Sequence, residues 1–180
     1  MKQKIAIIDY GAGNLYSLHN AFKFIGYNSD ITSEIRNINR ADVLLLPGVG
    51  SFNLAIKNLK RLKLIDAINN HVKKERKILG ICLGMQLMAK VGYEHGITKG
   101  LGIIDAEVKK IKNLKNYQLP HVGFNKVKVK KNMSLFKNIE DNSFFYFNHS
   151  FAIKSILDGR KFSQTFHGEK FISSYESKNI

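Results

Sequence analysis

A cysteine stands between two glycines in Gly80-Ile81-Cys82-Leu83-Gly84, directly after the apolar pair Ile78-Leu79. Cysteine is the ordinary nucleophilic side chain with useful thiolate near neutral pH, so this residue is suited to attack on a carbonyl carbon. The spacing fits a sharp strand-to-helix turn. Flanking glycines let the backbone bend tightly, and the amide of Leu83 can point at a developing oxyanion. A helix beginning at Leu83 is expected to lower the Cys82 pKa by favouring the thiolate at its N-terminus. The plainer alternative is an inert, buried cysteine that happens to fall between two glycines.

A second turn, Pro47-Gly48-Val49-Gly50, follows the apolar run at 43–46. Glycines there free backbone amides to approach an anionic oxygen and supply a second donor beside that of Leu83, although such a loop taken alone is more often a simple turn. Gly11-Ala12-Gly13 after the first apolar run raises a nucleotide- or phosphate-binding alternative. It matches the dinucleotide fingerprint poorly, because Tyr16 stands where the third glycine belongs and no acidic residue closes the next strand. The six His and single Cys show no metal-ligand spacing, so no metal and no other cofactor is expected.

These turns need elements to hold them. Ile5-Ala6-Ile7-Ile8 reads as a buried strand, and Leu15, Leu18, Ala21, Phe22 and Ile25 share one helical face that Gly26 terminates. The run at 43–46 precedes amphipathic spacing through Ile56, Leu59 and Leu62, then through Leu64, Ala67, Ile68, His71 and Val72. Residues 78–82 form the next strand and 83–90 the next helix. Alternating strands and helices imply a parallel sheet covered on both faces. After about Gly100 the texture changes to short β-like runs at 107–111, 125–129, 144–147 and 170–175. The expected fold class is therefore α/β, a mainly parallel central sheet flanked by helices, with antiparallel strands in the C-terminal half that extend that sheet or pack across its end.

The chain has 180 residues, enough for one compact domain over 1–180 and too few for two full ones. Its net charge of +15 would suit an anionic partner, but the lysines are spread along the chain without an aromatic-rich RNA-binding signature. A solvated basic surface is the reading, with no nucleic-acid and no membrane partner. The single cysteine excludes an internal disulfide, and no apolar run approaches spanning length, which points to a cytoplasmic protein.

Four motifs in one order resemble the glutaminase subunits of imidazole glycerol phosphate synthases, members of the class I (triad) glutamine amidotransferases. They are Leu46-Pro47-Gly48-Val49-Gly50, Leu79-Gly80-Ile81-Cys82-Leu83-Gly84-Met85-Gln86, Pro120-His121-Val122-Gly123-Phe124-Asn125 and Phe145-Tyr146-Phe147-Asn148-His149-Ser150. The resemblance implies a flavodoxin-like amidotransferase fold and hydrolysis of glutamine to glutamate through a glutamyl thioester. Ammonia would be channelled to a (βα)₈-barrel cyclase subunit, in a heterodimer serving histidine biosynthesis. Carried onto this chain, Cys82 is the nucleophile, Gly48, Val49, Gly50 and Leu83 form the oxyanion hole, and Gly50, Gln86, His149, Ser150 and Phe151 bind glutamine. The turn at 9–14 and the segment at 120–125 look like parts of the face toward the cyclase. A paralogue supplying ammonia for amidation of a surface sugar, or a catalytically dead copy that only binds a partner, are the competing readings.

The family completes its triad with a His and a Glu in a Phe-His-Pro-Glu-Lys-like motif. Phe166-His167-Gly168-Glu169-Lys170 resembles it, but His167 follows His149 by only 18 residues, and in the family that separation is much larger. The better alignment makes 165–180 the hairpin preceding the triad motif, with His167 and Glu169 at an exposed turn, and Ile180 opening a further strand. On that reading the chain is expected to stop short of its general base and of a closing strand and helix, leaving an unpaired sheet edge and poor solubility.

Overall fold

A computed structural model describes residues 3–130, 132–156 and 161–180. Strands β1 (Ile5–Ile8), β2 (Ser29–Thr32), β3 (Val43–Leu46) and β4 (Lys77–Gly80) form a parallel sheet in the order β2-β1-β3-β4. The unbroken apolar runs of β1 and β3 are explained by burial on both faces. Ile5, Ile7 and Leu45 meet Leu15, Leu18 and Phe22 of α1 (Leu15–Phe24) on one side. On the other, Ala6, Ile8, Leu44 and Leu46 join a core with α2 (Ile35–Arg40), α3 (Phe52–Arg61) and α4 (Leu64–Lys73) through Ile38, Phe52, Ile56, Leu59, Leu64 and Ile68.

The stripe expected on the first helix is only partly used. Ala21 and Ile25 lie outside the core while Leu15, Leu18 and Phe22 pack on the sheet, and Phe24 and Ile25 are 91% and 61% exposed. The helix expected over 83–90 is also shorter. It is α5 (Leu83–Leu87), after which the chain enters β5 (Ala89–Gly92). The cause is non-local: β5 pairs with β7, and the amides of Leu101, Ile103, Gly102 and Gly100 bond the carbonyls of Leu87, Met88, Ala89 and Lys90, which holds this stretch extended.

The strands anticipated after residue 100 build sheets of their own rather than extending the parallel one. β6 (Thr98–Lys99), β7 (Ile104–Lys110), β8 (His121–Lys126), β9 (Lys128–Val129), β10 (Phe144–His149), β11 (Phe151–Ile156), β12 (Lys161–His167) and β13 (Glu169–Glu176) follow in order. Seven strands make a mixed sheet in the order β6-β5-β7-β11-β13-β12-β9, antiparallel apart from β5 beside β7, while β8 and β10 pair separately. The two larger sheets share one core, in which Leu87, Met88, Ile104, Val108, Ile153 and Ile172 join the residues of β1 and β3.

Beyond β13 the chain returns to the edge of the parallel sheet. The amide of Ile78 in β4 donates to the Asn179 carbonyl at 2.9 Å, and Asn179 Nδ2 donates to the carbonyls of Val72 and Arg76, both at 3.1 Å. Asn179→Ala leaves those two carbonyls without this donor, and a loss of about 1 kcal/mol in urea unfolding is expected. An unchanged midpoint would show that water replaces the amide fully.

Candidate active site

The local chemistry of 80–84 produces a strained turn. Cys82 has φ +56° and ψ −118°, a region that costs an L-residue roughly 1–3 kcal/mol and persists only where the surroundings impose it. The surroundings here are glycines in close contact. A Cβ on Gly80 would lie 2.8 Å from the Met85 Cα, and one on Gly84 only 1.7 Å from the Leu46 carbonyl oxygen. The start of α5 is thus pressed onto the end of β3. That contact brings together the two turns recognised separately in the sequence: a Cβ on Gly48 would stand 3.0 Å from Leu83 Cβ.

Cys82 opens into a cavity of about 280 Å³ lined also by Val49, Gly50, Leu83, Gln86, His149, Ser150 and Phe151, a volume near the lower end for a small-molecule site. Every residue assigned to glutamine by resemblance borders it; of those assigned to the oxyanion hole, Gly48 does not, and lies behind it against Tyr10 and Leu83. A second, mainly apolar cavity of about 480 Å³ runs from Cys82 past Ile78 and Leu79 of β4 to Phe145, Phe171 and Ile180. Cys82, Gln86, Asn148 and His149 border both spaces.

Two contributors were not read from the sequence. Glu94 borders the smaller cavity and accepts the amide of Phe52, at the start of α3, at 2.7 Å. The acid lies in Gly92-Tyr93-Glu94-His95-Gly96, whose glycines hint at a turn but not at what it reaches. Tyr10 is fully buried and donates its hydroxyl to the Pro47 carbonyl at 2.8 Å. Burial pushes its phenol well above the usual tyrosine range, with the charge of Cys82 adding to the shift, so it stays a neutral donor that braces the glycine turn.

The expected lowering of the thiol pKa is not what the site produces. Cys82 is reachable from solvent through the cavities, yet protein crowds its sulfur. Burial raises the thiol above its usual value, outweighing the Leu83 N–H that bonds the sulfur and stabilises the thiolate. One amide at the start of a five-residue helix cannot offset desolvation of a charge. Alkylation of Cys82 by iodoacetamide is therefore expected to be slower than that of free cysteine at neutral pH, and to keep climbing at pH values where free cysteine has levelled off. A rate profile whose midpoint lies at or below the pH of the free-cysteine midpoint would overturn this sign.

Neither His167 nor Glu169 lines the cavities that hold Cys82. The two face each other across the β12–β13 turn. His167 Nε2 lies 2.9 Å from the Gln118 carbonyl, while Glu169 pairs with Lys154 and accepts the Lys112 amide. Those bonds, with Lys154 foremost among the favourable ones, hold the Glu169 carboxyl below its usual range despite its burial, the largest opposing influence. His149 borders both cavities with Cys82, and both of its ring nitrogens are engaged, Nδ1 with the Phe151 carbonyl at 2.9 Å and Nε2 with His121 Nδ1 at 3.0 Å.

No helix among the described residues is long and apolar enough to cross a membrane. The model of the family described as glutamine amidotransferase class-I matches residues 6–179. The chain is 45% identical over 177 residues to imidazole glycerol phosphate synthase subunit HisH 1 of Campylobacter jejuni (strain RM1221), covering 98% of this chain and 88% of that one. It is 39% identical over 178 residues to the HisH subunit of Aquifex aeolicus, covering 98% and 85%. A crystal structure of a glutamine amidotransferase superimposes with TM-score 0.69 at 14% identity over 91% of this chain and 85% of that one. The structure of PurLQS from Thermotoga maritima does so with TM-score 0.68 at 17% identity, over 100% and 85%. A strained cysteine elbow, an adjoining glycine turn and a match along nearly the whole chain agree, and the chain belongs to the class I glutamine amidotransferases, among the HisH subunits of imidazole glycerol phosphate synthase.

Proposed function

We propose that this chain is the glutaminase subunit of an imidazole glycerol phosphate synthase, with Cys82 as its nucleophile. The observation that carries the reading is the strained Cys82 opening into a cavity bordered by Gly50, Gln86, His149, Ser150 and Phe151. Cys82 Sγ attacks the side-chain amide carbon of glutamine, and the C–N bond breaks as a proton passes to nitrogen. The products are a glutamyl thioester and ammonia. Water then cleaves the thioester, releasing glutamate and restoring the thiol. The amides of the Gly48 to Gly50 turn and of Leu83 are assigned to the oxyanion, so Leu83 N–H must turn from sulfur to oxygen as charge moves. Glu94 is assigned to the α-ammonium of glutamine, the one cationic group of that substrate.

A thiol raised by burial needs a base, and His149 has both nitrogens in use. We assign proton removal to a group that approaches Cys82 from the larger cavity. The ammonia acceptor is assigned to a (βα)₈-barrel cyclase subunit in a cytoplasmic heterodimer. Support comes from the outer face of the β8–β10 pair, where Val122, Phe124, Phe144 and Tyr146 are 55%, 73%, 60% and 59% exposed. An apolar face of that kind on a two-stranded ribbon is an interaction surface.

A chloroketone analogue of glutamine tests the reading without requiring turnover. Mass spectrometry is expected to find one adduct, on Cys82, with labelling suppressed by excess glutamine but not by glutamate amides of unrelated shape. Labelling that glutamine fails to suppress would sink the assignment of the cavity.

A further inference from the structure

On the inner face of the β8–β10 pair, hydrogen bonds run in one direction toward the cavity. His149 Nδ1 contacts the Phe151 carbonyl at 2.9 Å; a carbonyl only accepts, so this nitrogen carries the hydrogen. In the neutral ring Nε2 is then an acceptor, and its partner at 3.0 Å, His121 Nδ1, must donate. That leaves His121 Nε2 as acceptor, a role matched by Asn125 Nδ2 at 3.2 Å. The orientation of the Asn125 amide is set independently, since its Oδ1 accepts the Lys126 amide and its Nδ2 also donates to the Phe166 carbonyl. At the other end, Gln86 Nε2 donates to the same Phe151 carbonyl at 2.8 Å. The series therefore links Asn125 in β8 to the helix that begins directly after Cys82.

We propose that His121, oriented by Asn125, is a positioning residue that locks His149 in its neutral, Nδ1-protonated form and so fixes the Phe151 carbonyl and Gln86 on the cavity wall. A consequence is that protonation of either ring opens the cavity wall in acid. The inference rests on the glutaminase reading for the meaning of that wall, not for the hydrogen-bond directions. A protonated His149 would aim Nε2–H at the Nδ1–H of His121, donor against donor.

The surroundings favour the neutral rings. His121 stacks on Phe147 and on His167 of β12, with ring centroids 4.8 and 4.1 Å apart, and His149 meets Phe171 of β13 edge-on at 5.0 Å. The titratable groups that face the pair are His167 and Lys154 of β11, both repelling a proton, with Cys82 and Glu94 on the cavity wall beside His149, and the nearby Glu169 of β13 is already taken by Lys154. Burial first, then His167 and His149, lower His121 to about 4, and burial foremost lowers His149 as well. A depressed folded-state value means that this contribution is complete above the ordinary histidine range and is lost as pH falls through it toward 4.

Two measurements on the full chain decide the matter. Long-range ¹H–¹⁵N spectra of the histidines at neutral pH are expected to show His149 as the Nδ1–H tautomer; an Nε2–H tautomer overturns the inference alone. The glutamine concentration that half-protects Cys82 from the chloroketone, measured well below the thermal midpoint of each protein, is expected to rise about tenfold in His121→Phe, which keeps the stack but lacks the donor. His121→Asn, whose amide can donate to His149 but cannot titrate, is expected to restore protection to within about threefold and to flatten its acid dependence. Unaltered protection in His121→Phe, or no rescue by His121→Asn, also overturns the inference. If glutamine fails to protect the unsubstituted chain at any pH, the glutaminase reading falls first and takes this one with it.

Discussion

Cys82→Ala is expected to abolish labelling by the glutamine chloroketone and to reduce glutamate release, in the presence of a cyclase subunit and its nucleotide substrate, by roughly 10⁴-fold or more, the scale on which nucleophile deletions act in triad hydrolases. The size of the effect follows from how the residue is held. Cys82 occupies a backbone region that ordinary residues avoid, and the bonds made by its neighbours, Ile81 N–H to the Leu46 carbonyl at 3.0 Å and Met85 N–H to its own carbonyl at 3.0 Å, keep it there. Strain retained at a cavity mouth has its use in presenting the sulfur, not in stabilising the fold. Cys82→Ala is accordingly expected to leave the unfolding midpoint unchanged or slightly higher. Cys82→Ser is the companion test. A hydroxyl in this site is far harder to ionise than a thiol already raised by burial, so serine should be nearly as inactive as alanine. Hydrolysis that survives either substitution would remove Cys82 from the mechanism.

Gly84→Ala should be the most damaging single methyl that can be added near the site. Its Cβ would fall 1.7 Å from the Leu46 carbonyl oxygen and 2.6 Å from the carbonyl carbon. Both are backbone atoms of a central strand paired with β1 and β4, so neither can swing away. Helix α5 would have to lift off β3, separating Leu83 from the Gly48 turn and breaking the Gly84 N–H bond to Ile81. A loss of about 3 kcal/mol or more is expected, at the upper end of overpacking effects. Activity should fall further than the folded fraction, because the Leu83 and Gly48-turn amides assigned to the oxyanion would no longer converge. Urea unfolding combined with chloroketone labelling separates the two losses. A fully folded Gly84→Ala protein with normal labelling would show that the close approach of α5 to β3 is not required.

How much of this was legible beforehand depended on whether the cause was local. The cysteine elbow could be read because it needs a nucleophile between two glycines after an apolar run, all within a few residues. The buried β1 and β3 were equally plain from their unbroken apolar composition. The length of α5 was not, because the bonds that end it come from residues 100–103. Nor was Glu94, whose place at the cavity follows from its bond to the start of α3, 42 residues away in the chain.

The amino-acid sequence by itself determined the candidate nucleophile, the two glycine turns, the alternation that builds the parallel sheet and the order of motifs that marks the family. Each is written in neighbouring residues, through backbone sterics and hydrophobic period. Only the tertiary structure decided that the Cys82 thiol is raised rather than lowered, that His149 has no free nitrogen, and that His167 stacks on His121 while Glu169 pairs with Lys154. Desolvation, ring tautomers and side-chain pairing depend on which distant segments the packed core brings into contact, and no local pattern of residues encodes that.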